Sequence, residues 1–248
     1  MPAITSSGRK INQYTSILAI VAFWMLSAPG AMADGLLYDM PKDGAWVKYD
    51  LELVMGKGQQ QMKVAGHMIM SVTGTVKEND KTYRWVEFQM VMSDGNREET
   101  ILAKVLVPDE HLKKGGKPME HWGRGWLKDG NGQAKALTMD DLGPLPAFLA
   151  SPLSDTKDLK KKEIESKLGK LECAGVSGVA KYEERPGRTT VVTFDEIRLH
   201  EKAPFGVVSA SMNVQTIREN GQARDQGSLT LKLVDTGDDA KTALPENK

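Results

Sequence analysis

From Trp46 the apolar residues of this chain fall at alternate positions, with Val47, Tyr49, Leu51 and Leu53 in one phase and Lys48, Asp50 and Glu52 in the other. Successive side chains of an extended strand point to opposite faces, so a period of two dictates a sheet with one dry and one wet face. After Gly56-Lys57-Gly58 a longer strand is expected, with Met62, Val64, Met68, Met70, Val72 and Val76 in phase. Gly66 and Gly74 lie on that same face and mark bends or bulges. Turns at Asn79-Asp80 and Ser93-Asp94-Gly95-Asn96 lead to two further strands, carrying Val86, Phe88, Met90 and Met92 and then Ile101, Ala103, Val105 and Val107. Strands joined by short polar turns form an antiparallel meander, which Pro108 ends.

Between about residues 108 and 162 no strand pattern survives, and Gly115-Gly116, Gly123, Gly125, Gly130, Gly132 and Gly143-Pro144-Leu145-Pro146 interrupt the chain. Short helices are expected at Pro118 to Leu127, where proline suits a first helical turn, and around Phe148-Leu149. Strand signals resume after Glu163 and run through Lys170 to Tyr182, Thr189 to His200, Phe205 to Arg218 and Ser228 to Val234, with an Asn220-Gly221 turn between the last two. The expected fold is mainly β: a strongly curved antiparallel sheet or half-barrel of about eight strands, because twisted open sheets of that size curl. Residues 34–237 form a single β-rich domain in this reading, the irregular segment near 108–162 is a short helical or loop lid, and 238–248 is a disordered tail.

Ahead of the first strand, Arg9 and Lys10 are followed by no charged residue until Asp34. The densest apolar run, Ile17 to Leu26, is ten residues long, against roughly 20 for a spanning helix. Pro29 and Gly30 break a helix, and Ala31-Met32-Ala33 is a small-x-small cleavage pattern, so residues 1–33 read as a signal peptide cut before Asp34. Retention of the uncharged stretch Ile11 to Ala33 as an anchor is the rival reading; no cysteine follows the cleavage site to take a lipid. Cleavage leaves 215 of the 248 residues, with 31 basic against 33 acidic side chains, a formal charge of −2. No basic surplus points to nucleic acid. Cys173 is the only cysteine, so an intramolecular disulfide is impossible and the core alone must hold the fold.

The export signal, the long glycine-interrupted strands, the expected lid and the segment Ala203-Pro204-Phe205-Gly206-Val207-Val208 together resemble the LolA and LolB family of curved half-barrel lipoprotein carriers of bacterial envelopes. The opening Leu37-Tyr38-Asp39-Met40-Pro41-Lys42-Asp43-Gly44-Ala45-Trp46-Val47 is similar to the start of uncharacterised exported bacterial proteins of similar size, which bring no assigned activity. The LolA resemblance implies a lipid or other apolar ligand held on the concave face. Met62, Met68, Met70, Met90 and Met92 on neighbouring strands are candidate lining residues, since unbranched thioethers adapt to variable apolar partners; filling an irregular core is their other use. Trp122 and Trp126, four apart, would share a helical face with Met119 and form part of the lid, or pack a helix onto the core.

Catalytic signals are weak. Asp109, Glu110, His111, Glu120 and His121 could converge from a folded loop, but His67, His111, His121 and His200 show no zinc-ligand spacing. There is no GxSxG elbow, and Gly123-Arg124-Gly125 lacks the rest of a phosphate loop. The expected function is therefore non-enzymatic, with no cofactor or metal: a ligand-binding envelope protein, or a structural module with a filled core and a protein partner in the envelope. Amino-terminal sequencing of the protein recovered from the envelope or medium of an expressing cell is expected to begin at Asp34; retention of Met1 would refute cleavage.

Overall fold

The computed structural model describes residues 39–56, 61–93, 95, 97–112, 118–138, 141 and 151–244. The signal segment, its cleavage site and the helix expected around Phe148-Leu149 lie outside them. The described strands are β1 (Trp46–Met55), β2 (Met62–Glu78), β3 (Lys81–Ser93), β4 (Glu98–Pro108), β5 (Gly125–Asp129), β6 (Lys135–Ala136), β7 (Ser154–Ser166), β8 (Gly169–Arg185), β9 (Arg188–Leu199), β10 (Val207–Arg218) and β11 (Ala223–Gly237). They form one antiparallel sheet of 11 strands in the order β6-β5-β4-β3-β2-β1-β11-β10-β9-β8-β7. The chain thus starts at the middle of the sheet, works outward to β6, and re-enters at the opposite edge to work back to β11 beside β1.

The sheet is curved and unclosed. Buried apolar residues from both halves, among them Tyr49, Met70, Phe88, Val105, Val176, Phe194 and Phe205, belong to one continuous core. One sheet can bring such distant strands to a common core only by folding its inner face onto itself. Edge strand β7 correspondingly comes back within contact of β11, four places away in the sheet. Register shifts at Lys48/Tyr49, Val72/Gly74, Val214/Gln215 and Ser211/Met212 supply the local bends such curvature requires. Gly74 sits at one of them, in the expected way; Gly66 instead allows close approach. It lies opposite Met92, and a β-carbon there would collide with the Val91 carbonyl oxygen.

Three expectations need correction. The sheet has 11 strands rather than about eight. No helical lid is found among the described residues: the segment holds single 3-10 turns at Asp109–His111 and Pro118–Glu120, then β5, β6 and the start of β7. Glycines at 123 and 125 are poor helix residues, and the backbone there finds partners on β4 instead, Gly123 N–H donating to Leu106 O and Leu106 N–H to Arg124 O. β7 begins nine residues before the expected strand signal because it is an edge strand, exposed along nearly all its length, so no dry face imposes alternation on its sequence.

The third correction concerns the chain end. Residues 238–244, expected as part of a disordered tail, cross the outer face of the sheet. Trp46 Nε1 donates to Asp239 Oδ1 at 2.9 Å, Ala240 N–H to Gly44 O at 2.9 Å, and Ala243 N–H to Glu87 Oε1 at 2.9 Å. Leu244 is only 1% exposed. Polarity hid this segment because its anchoring is mostly hydrogen bonding.

Gly66→Ala is expected to lower stability by about 3 kcal/mol, the upper part of the overpacking range, because backbone rather than a flexible side chain must yield. Chemical denaturation compared with the parent protein measures it.

Candidate functional site

The inner face is graded in depth. Along β1, Val47, Tyr49 and Leu51 are buried, whereas Leu53 in the same phase is half-buried. The sequence repeats on neighbouring strands: Met70 and Met68 then Val64 on β2, Val86 and Phe88 then Met90 and Met92 on β3, Val105 and Ala103 then Ile101 on β4. Across the seam, Leu233 and Leu231 give way to Leu229, and Met212 to Val214. The register aligns these changes at one end, with Leu53 opposite both Val64 and Leu229 and Met68 opposite Met90. The inner face therefore has a closed end and an end where apolar side chains remain partly in solvent.

The closed end is built by the β9–β10 connection. Phe205 and Gly206 both take left-handed backbone angles, φ 60° and 73°. This conformation costs a bulky residue about 1–2 kcal/mol, which burial of its ring offsets, Phe205 being 2% exposed. His200 N–H donates to Gly206 O and Gly206 N–H to Ala203 O, holding the loop across the end of the core. Leu171 and Cys173 of β8 and Val207 complete that end of the core. The Tyr49 hydroxyl donates to Val207 O at 3.1 Å, tying β1 to β10 across β11 inside the core. Burial pushes the Tyr49 hydroxyl well above its ordinary pKa. Burial likewise raises the Cys173 thiol, with the Arg198 charge opposing. Outside this end, a cleft of about 280 Å³ lies between Lys42, Lys202, Phe205 and Asp238, with Lys42 and Asp238 ion-paired at 2.9 Å.

The methionines follow the gradient. Met68 and Met70 are at most 1% exposed; Met90 is partly buried against the core, Met92 half-buried, and Met62, at 48%, lies at the rim. The stripe was visible in the sequence, but not its depth. Trp122 and Trp126 do not share a helical face. Trp122 packs against the inner core, its ring occupying space that a β-carbon at Gly125 would take. Trp126, on strand β5, turns to the outer face, its ring 5.2 Å from that of Trp85. Leu127, Tyr182, Val214 and Leu229, also partly buried against the core, were not singled out in the sequence. Alternation assigns them a face but does not say how far along the strand the core extends.

The loop acids and histidines do converge in part. His111 and His121 stack with ring centroids 3.8 Å apart and planes 13° from parallel. Stacked rings direct their nitrogens side by side rather than toward a common point. Glu110 lies 2.7 Å from Lys81 Nζ and Asp109 2.8 Å from Arg84 Nε. Among the described residues no group of three or more His, Cys, Asp or Glu is arranged to hold a metal ion.

No family model matches the chain, and no curated protein matches it. Among solved structures it is similar to a candidate lipoprotein from Parabacteroides distasonis, at 12% identity over 82% of this chain and 100% of that one, TM-score 0.33. It is also similar to a candidate exported protein with a YmcC-like fold from Bacteroides fragilis, at 6% identity over 81% and 99%, TM-score 0.33. A β-barrel-like protein of a domain of unknown function, DUF1849, from Brucella abortus matches at 14% identity over 80% and 98%, TM-score 0.25.

With Cys173 fully buried and its thiol harder to ionise, alkylation by iodoacetamide at neutral pH is expected to be negligible in the native protein and complete in denaturant. Rapid alkylation without denaturant would contradict a closed end of the core at Cys173.

Proposed function

We propose that this chain is a non-enzymatic exported envelope protein that holds a lipid or other apolar ligand at the wide end of its curved sheet. The observation that carries the reading is the depth gradient: inner-face apolar residues on five adjoining strands pass together from buried to half-exposed, at Leu53, Val64, Met90, Val214 and Leu229. Partly solvated apolar surface is costly to maintain without a partner. The ligand contacts are the rim and half-buried methionines, Met62, Met90 and Met92, with Met68 and Met70 as the floor. Trp122 supports the inner wall; Trp126, on the outer face, is not a lid residue in this proposal. Export rests on the N-terminal sequence.

A filled-core interaction module is the second reading, and the complete burial of Tyr49, Met68, Met70 and Val86 favours it. Titration with a fluorescent fatty acid separates the two. Saturable uptake is expected, weakened about tenfold or more by Leu229→Glu or Met90→Glu, since each places an ionised carboxylate in the apolar site. Bare polypeptide in native mass spectrometry together with no saturable uptake would leave the filled-core reading.

A further inference from the structure

On the outer face, strand register places Trp46, Ser71, Glu87, Lys104 and Trp126 in one continuous row across β1 to β5. The three polar members are buried: Ser71 is 6% exposed, Glu87 5% and Lys104 1%. Buried charges occur where partners are provided. Here the segment 238–244 contributes them by running along the row. Asp239 accepts from Trp46, and the Thr242 hydroxyl accepts from Lys104 Nζ at 3.0 Å and donates to Glu87 Oε2 at 2.8 Å. The other oxygen of Glu87 takes the Ala243 N–H, and Leu244 is buried just beyond. Beneath, the Lys104 ammonium lies 4.8 Å from the centre of the Trp85 ring, itself 2% exposed.

We propose that this row is a peptide-binding site, occupied in cis by the chain's own C-terminal segment. It takes a peptide that crosses the strands rather than adding to an edge, turning at Ala243 and Leu244, where the Thr242 hydroxyl lies 2.7 Å from Leu244 O. Glu87 reads a backbone N–H and a hydroxyl on adjacent residues, Lys104 reads the same hydroxyl, and an apolar side chain two residues on closes the contact. The segment has few bonds into the sheet ladder itself, so its hold depends on these side-chain contacts and is separable from the fold of the sheet.

The test uses the full-length chain and amine acylation read by mass spectrometry, with exposed Lys232 as reference. In the parent protein Lys104 is expected to react at least about tenfold more slowly than Lys232, as a group shielded by a locally opening segment does. Leu244→Asp is expected to bring Lys104 to nearly the Lys232 rate while the β-sheet circular dichroism is retained. Adding the amine-blocked peptide of residues 238–248 at about 1 mM, comparable with a short tether's effective concentration, is expected to restore the slow rate. The same peptide with valine in place of threonine 242 is expected not to. If Leu244→Asp loses the sheet signal, Thr242→Val, which keeps the apolar contact, takes its place. The proposal is overturned if Lys104 matches Lys232 in the parent, stays slow in the folded variant, or is indifferent to the peptide.

Discussion

The pairing of β1 with β11 is the contact on which the rest of the structure depends. It joins the first and last strands over the stretch from Trp46 opposite Gly237 to Val54 opposite Ser228. Each half of the chain is a meander built from local hairpins, and each would end there in an unpaired strand. Joining them makes one sheet and brings the apolar faces of Val47, Tyr49 and Leu51 beside those of Leu231 and Leu233. The hydrogen bonds contribute roughly 1 kcal/mol each at best, so the larger gain is the shared dry face. Tyr49 extends the join one strand further through its bond to Val207 O.

From that join follow two faces with different chemistry. The inner face is apolar and graded, sealed where Phe205 lies across it and looser where Met90, Val214 and Leu229 stand. The outer face is not merely wet: on β3 and β4 it carries an acid and a base, Glu87 and Lys104, opposite each other, and the chain covers them with the segment after its last strand. The C-terminal residues are thus continuous with β11, so the same strand that completes the sheet also delivers its outer covering.

How much of this was legible in the sequence depended on whether a residue's environment was set by its own strand. The alternation from Val47 to Val107 showed the existence of β1 to β4 and the phase that faces the core, but not that the opposite phase of β3 and β4 is also buried at Trp85, Glu87, Lys104 and Leu106. β7 could not be read from Lys157 to Lys162, because an edge strand with both faces in water imposes no period on its side chains. Glu87 and Lys104 were in the wet phase and were naturally passed over; their burial comes from a segment more than a hundred residues away in sequence. The Trp122 and Trp126 spacing suggested a helix, but the open hydrogen-bonding edge of β4 captured that backbone instead. Methionine phase was right, while methionine depth is a property of the whole curved sheet and has no local signal.

An open sheet of this size has two ends at which another strand could add, and the chain treats them unequally. β6 offers only Lys135 and Ala136, too little backbone to template a partner. β7 offers thirteen residues, but register shifts at Ser154/Lys157 and Leu159/Lys162 warp it, and Lys157, Lys160, Lys161 and Lys162 blunt it with charge. The two described edges are thus one very short and one warped and charged, the devices by which an open sheet discourages strand addition without closing.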